Sequence, residues 1–162
     1  MKMKSDYISN LRSKIGHMPI FNPVVTLVIY KKGKILLQKR TDNGTWAIHG
    51  GAIELGEKYI DALYREIKEE LNIVPVNPQL MGIFSGEELH HTYKKSGDEV
   101  YALNHVFICE DYEGDIDFVD GEVENLKWFD INNLPDNIFK INIPIINCVK
   151  QYIESGNKVV VD

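Results

Sequence analysis

A glycine-led, glutamate-rich segment over residues 51–73 constrains the fold of this chain more than any other part of it. Its sequence is GAIELGEKYIDALYREIKEELNI. The second half predicts a helix over about 58–71, because apolar residues recur there at helical spacing and would form one buried stripe. The members of that stripe are Ile60, Leu63, Tyr64, Ile67 and Leu71.

Three glutamates share a second face of this helix. Glu66, Glu69 and Glu70 stand at i, i+3 and i+4, a face predicted to be exposed. Like charges at this spacing destabilise an isolated helix by roughly a few tenths of a kcal/mol per pair. A hard divalent cation such as Mg²⁺, Mn²⁺ or Ca²⁺ would remove that repulsion, because carboxylate oxygens are its preferred ligands. The hexapeptide REIKEE alone is more often a solvated helix face with an arginine or lysine nearby.

Length and composition predict one domain over residues 1–162, with a hydrophobic core and no need of disulfides. The chain has 162 residues, of which 44% are hydrophobic and 26% charged. No apolar run is long enough for a membrane span, and the start of the chain lacks a signal-peptide core. Cys109 and Cys148 have no zinc-site spacing and are expected to be buried free thiols. These features favour a cytoplasmic location and no membrane partner.

Net charge argues against nucleic acid as a general partner, because phosphate contacts need lysine and arginine. The chain carries 18 basic and 24 acidic residues, for a net charge of −6. A phosphate-rich small molecule is still allowed, since metal ions held by acidic side chains can invert the local field.

The rest of the pattern alternates strands with a few helices and predicts an α/β (α+β) fold. A short helix is expected over 6–15, and a closing helix over 143–154 with Pro144 in its first turn. A β-hairpin is expected over 24–40, turning at Lys32-Gly33. Further strands are expected over 73–85, with a proline-marked turn at the start, and over 99–109 and 124–130.

Residues 51–73 resemble the signature motif of the Nudix hydrolases, the MutT-like family, and this motif is called the box below. The matching positions are Gly51, Glu57, Arg65, Glu66, Ile67, Glu69, Glu70 and Ile73. The family usually has glycine where this chain has Asn72, and asparagine is the next-best residue for a left-handed helix cap. The resemblance covers about Val24 to Pro135. It implies a Nudix-type α/β/α sandwich with a mixed sheet, in which the box forms a loop, helix and loop at one edge.

The resemblance implies roles for the box residues. Glu66, Glu69 and Glu70 would bind the metal, Arg65 would orient these carboxylates by ion pairing, and Glu57 would help to arrange them. Two neighbouring glycines, Gly50 and Gly51, would bring backbone close to the metal or the phosphates. The family usually has proline before this pair. His49 stands there in this chain, either pointing into the substrate cleft or serving as a satisfied loop histidine.

Two segments outside the box resemble functional parts of the family. Glu122 lies six residues before Trp128, where many members place a further metal ligand or the base, and Glu124 is the nearby alternative. The stretch from Tyr93 to Asp98 resembles, with one extra residue, a Tyr-x-x-Gly-Asp loop that contacts substrate in some members. The adjacent pair His90-His91 also suggests a transition-metal site, although it lacks a third spaced ligand.

The resemblance therefore implies a metal-dependent pyrophosphohydrolase that uses Mg²⁺ or Mn²⁺. Its substrate would be a nucleoside diphosphate linked to another moiety, as in a nucleotide sugar, a CDP-alcohol or a (d)NTP. The metal would lower the pKa of a water, a carboxylate would take its proton, and hydroxide would attack phosphorus. The alternatives are a non-catalytic Nudix-like nucleotide sensor, which usually loses box glutamates, and an RNA 5′-end pyrophosphohydrolase, which needs a cationic surface. The sequence leaves a homodimer open.

Overall fold

A computed structural model describes residues 7–117 and 121–162 of the chain. The α-helices in these ranges are α1 (Tyr7–Ile15), α2 (Tyr59–Leu71) and α3 (Ile143–Glu154), with 3₁₀ turns at Glu87–Leu89 and Lys140–Asn142. The strands are β1 (Ile20–Lys31), β2 (Lys34–Arg40), β3 (Trp46–Ala47), β4 (His49–Ala52), β5 (Val74–Val76), β6 (Gln79–Phe84), β7 (His90–Thr92), β8 (Glu99–Cys109), β9 (Asp111–Glu113), β10 (Val123–Asp130) and β11 (Val160–Val161).

One mixed sheet organises the fold. Its strand order is β10-β2-β1-β8-β6-β11, with β3 paired to β2, β4 paired to β1 and β7 paired to β8. The central pair, β1 and β8, runs parallel from Ile20 to Ile29, whereas β1 is antiparallel to both β2 and β4. Strands β5 and β9 form a separate small sheet.

Helices cover both faces of the main sheet, which confirms the predicted α/β/α sandwich. Successive side chains of a strand point to opposite faces. Val25, Leu27 and Ile29 of β1 accordingly join a buried cluster with α2, while Val28 joins a second cluster with α3. The two cores fix the distance and orientation of α2 relative to the strands, and this positions the candidate site.

Several predicted elements are confirmed, and one is wrong. The structure has the hairpin, the strand over 99–109, the strand near 124–130 and both outer helices close to their expected bounds. The expected strand over 73–85 is instead two strands in different sheets. The break falls at Asn77, which has a φ of 49°, and at Pro78, which has no N–H to continue a ladder.

The buried stripe of α2 also differs from its prediction. Leu63, Ile67 and Leu71 are buried as expected, but Ile60 is 36% exposed. Ala62 and, unexpectedly, Glu70 are buried in this helix. The glutamate face is therefore only partly exposed, because strand β4 packs against it.

The two cysteines are free thiols, and only one is fully buried. Cys109 is buried, whereas Cys148 is half-buried, so the prediction for Cys148 is wrong in that respect. Across residues 7–117 and 121–162, no helix combines the length and apolar character that a membrane crossing needs.

Candidate active site

Arg65 is the centre of an ion-pair cluster on α2. Its Nε donates to Glu57 Oε1 at 2.7 Å and its Nη2 donates to Glu57 Oε2 at 2.8 Å, a bidentate pair. Nη2 also donates to the Ala52 carbonyl at 3.0 Å, which ties the helix to the end of strand β4. Nη1 donates to Glu66 Oε1 and lies 3.6 Å from Glu69 Oε2. Hydrogen bonding to Glu57 raises the pKa of Arg65, so the cluster keeps a fixed positive charge.

Asn72 ends α2 in the left-handed conformation that the sequence predicts. Its φ and ψ are 58° and 22°, and its backbone N–H donates to the Lys68 carbonyl at 3.0 Å. The Lys68 ammonium in turn donates to the Asn72 carbonyl at 3.1 Å. Asparagine thus fills the glycine position of the box without disturbing the helix.

The two glycines before α2 are required for different reasons. Gly50 has a φ of 142°, and a Cβ there would stand 2.1 Å from the Val25 carbonyl oxygen of the paired strand β1. At Gly51 a Cβ would instead stand 2.4 Å from Glu66 Oε2. Gly50 therefore permits the strand pairing, whereas Gly51 leaves room for a carboxylate of the helix.

Glu70 is the buried acid of the site. It is 5% exposed, and its Oε2 accepts a hydrogen bond from the Gly50 backbone N–H at 2.9 Å. Its Oε1 accepts from Gln38 Nε2 at 3.2 Å. Burial raises the pKa of Glu70 to about 8, with smaller contributions in the same direction from Glu66 and Glu122. A carboxylate this poorly solvated is stabilised as an anion by any cation placed beside it.

The assignment of His49 to substrate contact is corrected by the structure. His49 lies in strand β4 rather than in a loop, and it is 0% exposed. Its Nδ1 lies 2.8 Å from Gln38 Oε1 and its Nε2 lies 3.1 Å from the Leu36 carbonyl oxygen. Burial lowers the pKa of His49 to about 4. His49 contacts Gln38, which in turn donates to Glu70, and His49 is not among the residues that line the cavity.

A cavity of about 420 Å³ opens beside the glycine pair. It extends from the box over the α3 face of the sheet, between α1 and the segment that precedes α3. Its lining includes three predicted site residues from outside the helix, namely Tyr93, Asp98 and Glu122, together with Gly50, Gly51 and Glu70. The fold thus brings six of the predicted residues to one cavity.

Glu122 and Glu124 are separated by the structure. Glu122 lines the cavity and contributes to the raised pKa of Glu70 across it. Glu124 is an exposed residue of β10 whose carboxylate pairs with Lys39 Nζ at 3.0 Å. Of the two, only Glu122 borders the cavity.

The Tyr93–Asp98 segment forms a closed turn at the cavity rim. The Tyr93 N–H donates to the Asp98 carbonyl at 2.8 Å, and the Gly97 N–H donates to the Tyr93 carbonyl at 2.7 Å. The Asp98 carboxylate lies 2.9 Å from His17 Nδ1 and 3.6 Å from Arg12 Nε. Hydrogen bonding to His17 lowers the pKa of Asp98, so it stays anionic.

The adjacent histidines do not converge on a common ligand. His90 Nε2 lies 2.8 Å from Glu99 Oε1, while the His91 ring packs edge-on against Tyr93 and Phe139. The transition-metal alternative finds no third ligand among residues 7–117 and 121–162.

Sequence reasoning missed much of the cavity wall. Strands β1 and β8 supply Asn22, Thr26 and Asn104, and further lining comes from α1, β2 and the segment before α3. Alternation along the strands signals which residues share a face, but nothing in the sequence pairs β1 with β8. The remaining unpredicted polar wall residues are Arg12, Arg40 and Asn142.

The donor set fits a hard divalent cation. Glu66, Glu69 and Glu70 offer carboxylate oxygens along one helix, and the raised pKa of Glu70 shows a site that disfavours an uncompensated anion. Within residues 7–117 and 121–162, no three acidic, histidine or cysteine side chains are already arranged to hold a metal ion. The fit is thus one of ligand chemistry, in a cluster where Arg65 pairs with Glu57, Glu66 and Glu69.

Comparison with known proteins agrees with this geometry. A family model of the NUDIX domain matches residues 21–148. The chain is 34% identical over 115 residues to the ADP-ribose pyrophosphatase of Methanocaldococcus jannaschii, covering 69% of this chain and 63% of that protein. It is 28% identical over 148 residues to the RNA pyrophosphohydrolase of Pelagibacter ubique, covering 85% and 94%. A crystal structure of a MutT NUDIX hydrolase from Burkholderia pseudomallei is similar with a TM-score of 0.67 and 25% identity, covering 80% of this chain and 98% of that one.

Proposed function

The chain belongs to the Nudix family of hydrolases, and from that premise we propose that it is a Mg²⁺-dependent pyrophosphohydrolase acting on a nucleoside diphosphate linked to another moiety. One observation carries the proposal. The buried carboxylate of Glu70 and the exposed carboxylate of Glu122 border the same cavity as the glycine pair. Two carboxyl groups beside backbone that can approach phosphate suit metal-assisted hydrolysis.

The helix residues would act as a unit. A divalent cation, with Mn²⁺ as a substitute for Mg²⁺, would be held by Glu66, Glu69 and Glu70 and would polarise the pyrophosphate and acidify a water. The Gly51 carbonyl would be a further oxygen donor for it, as would Glu122 if that residue serves as a metal ligand and not as the base. Arg65 would orient the acidic side chains, because its fixed fork bonds Glu57 and Glu66 at once. Glu57 would hold Arg65 in place.

Glu122 would receive the proton of the attacking water at its carboxylate. It approaches the cavity from the loop before β10, whereas the box acids approach from α2. A base on a separate element can therefore face the water from another side. The turn residues Tyr93 and Asp98 line the cavity rim, where they would contact the substrate.

A second cavity supports a substrate with two moieties. It measures about 580 Å³ and shares Tyr93, Asp98 and Phe139 with the first cavity. Its wall carries Lys94, Lys95 and Lys140. One cavity could hold the nucleoside and the other a sugar, an alcohol or further phosphates, with the pyrophosphate between them.

The alternatives differ in what they require. A nucleotide sensor without catalysis is disfavoured, because this chain keeps the box glutamates with their Arg65 partner. RNA 5′-end hydrolysis is supported by the name of one relative and by the lysines of the second cavity. The net charge of −6 favours a small nucleotide over a long polyanion.

We further propose that residues 1–162 act as one domain.

The test is a substrate panel with Mg²⁺ or Mn²⁺. The panel holds ADP-ribose, a nucleotide sugar, a CDP-alcohol, the dNTPs and a short 5′-triphosphorylated RNA, and products are separated by chromatography. We expect a nucleoside monophosphate and the phosphorylated remainder from at least one small substrate. Release from the RNA alone would establish the RNA alternative. Nucleotide binding without any hydrolysis at either metal would establish the sensor.

A further inference from the structure

Two buried amide oxygens on the cavity floor lack partners. Asn104 is 2% exposed, and its Oδ1 accepts no hydrogen bond from residues 7–117 and 121–162. The same holds for the buried Oδ1 of Asn22 in that part of the chain. Buried polar atoms in folded proteins are nearly always hydrogen-bonded. Both asparagines line one cavity, so a ligand bound there could donate a hydrogen bond to each orphan acceptor.

The strand register brings these side chains together. In the parallel pair of β1 and β8, Asn22 pairs with Ala102 and Val24 pairs with Asn104. Asn22 and Asn104 are thus diagonal neighbours on one face of the sheet, about 8 Å apart by strand spacing and rise. That separation lets two short amide side chains reach opposite ends of one polar edge.

The surroundings favour a flat apolar ligand with a polar edge. Val24, Val100, Ile48, Phe139 and Ile141 supply apolar walls to the same cavity. Ligand sites are mostly apolar, with a few polar groups that fix orientation. A third asparagine in the wall shows the contrast. The Asn142 Oδ1 already accepts a hydrogen bond from the Ile48 N–H at 3.0 Å, so it has a structural role.

We propose that Asn22 and Asn104 read the nucleobase of the substrate and select bases that carry an exocyclic amino group. This inference rests on the proposed function for the identity of the ligand as a nucleotide. The site offers two acceptors, and Arg12 Nε adds a buried donor that makes no hydrogen bond in the described part of the chain. Adenine, cytosine and guanine edges present an amino donor next to a ring position. Uracil and hypoxanthine edges present a carbonyl oxygen there instead, which would face the asparagine acceptors.

The test compares matched nucleotides that differ in the amino group. Binding of AMP against IMP, and of CMP against UMP, is measured by calorimetry on the full chain. We expect the amino member of each pair to bind about 5- to 150-fold more tightly. Asn104→Leu keeps the volume and removes the acceptor, so the preference should fall to about twofold or less. Asn22→Leu, at a less buried position, should reduce it in the same direction.

His105 provides a matched control on the same strand. It follows Asn104, and its Nδ1 is also buried without a hydrogen-bond partner among the described residues. Its ring stacks on Tyr59 of α2 at 3.9 Å, on the opposite face of the sheet. His105→Phe keeps that stacking and should leave the preference unchanged.

The outcomes separate this inference from the proposed function. Equal binding of amino and deaminated nucleotides by the wild type, or a preference that survives both asparagine variants, would overturn base selection while hydrolysis in the substrate panel stands. A preference that depends on Asn104 in a protein that hydrolyses nothing supports base selection and removes the catalytic proposal instead.

Discussion

The Glu66 carboxylate occupies the space where the first side-chain atom of Gly51 would stand, with a distance of 2.4 Å from that position to Glu66 Oε2. The contact joins helix α2 to strand β4 at Gly51, which lines the cavity. Because the obstructing group is the end of a flexible side chain, a methyl group at residue 51 can push it aside.

Gly51→Ala should therefore reduce activity far more than stability. We expect kcat to fall by at least tenfold, as Glu66 is displaced, with a change in unfolding free energy of about 1 kcal/mol or less. Gly50→Ala is the control, because its Cβ would meet backbone at 2.1 Å in a left-handed conformation. Gly50→Ala should destabilise the fold by about 1–3 kcal/mol. Equal losses of stability in the two variants would refute the distinction.

The left-handed cap at Asn72 predicts an order of stabilities. Asn72→Gly should be neutral or slightly stabilising, whereas Asn72→Val should lose about 1 kcal/mol or more, because a β-branched residue resists a φ of 58°. Chemical denaturation of the three proteins measures the order. A valine variant as stable as the wild type would show that the cap conformation is not enforced.

The separation of Glu122 from Glu124 predicts unequal effects on catalysis. Glu122→Gln should lower kcat far more than KM, because the lost interaction forms mainly in the transition state. Glu124→Gln should lose only its exposed pair with Lys39 and change either constant less than twofold. The reverse result would assign the catalytic role to Glu124 instead of Glu122. Wild-type kinetics in both variants would place the base within the Glu87–Asp98 segment instead.

The raised pKa of Glu70 predicts a pH dependence of stability in metal-free protein. The folded state keeps this proton up to a pKa of about 8, whereas the ordinary value is 4.5. The unfolding free energy should therefore fall as pH rises from about 4.5 to 8 and then level off, by a few kcal/mol in order of magnitude. Glu70→Gln cannot titrate, so the difference in stability between wild type and variant should shrink or reverse across that window. Parallel thermal-melting curves between pH 5 and 8 would contradict the assignment.

The sequence predicts those parts of the fold that depend on long periodic patterns. The alternation of β8 and the helical spacing of α2 and α3 give bounds within a residue or two of the structure. The short strands β7, β9 and β11 have at most three residues each, which is too few for a pattern. Their positions depend on neighbouring strands that a single sequence does not reveal.

The candidate site is predictable in its residue types and less so in its burial. Helical spacing places Glu66, Glu69 and Glu70 together, but it cannot show that β4 and Gln38 enclose Glu70. The prediction that His49 contacts substrate was wrong for the same reason. Only the pairing of β4 shows that its ring is buried against Gln38 and the Leu36 carbonyl. Asn22 and Asn104 are neighbours because β1 pairs in parallel with β8. These segments are far apart in the sequence, so no local pattern predicts their pairing.

The central claim is that the α2 carboxylates hold an essential divalent cation. The direct test is a Mg²⁺ titration of hydrolysis, from metal-free to saturating conditions, for the wild type and Glu69→Gln. Glu69 has a side chain 36% exposed, so its substitution should leave the fold intact. Asp61→Asn is the control, because it removes an exposed acid from the first turn of the same helix.

We expect wild type and Asp61→Asn to be inactive without metal and to share one Mg²⁺ dependence. Glu69→Gln should lose at least about a hundredfold in kcat at limiting Mg²⁺, equivalent to roughly 2.7 kcal/mol of transition-state stabilisation. Full hydrolysis in the presence of a chelator, or a Glu69→Gln titration that overlays the wild type, would contradict the account.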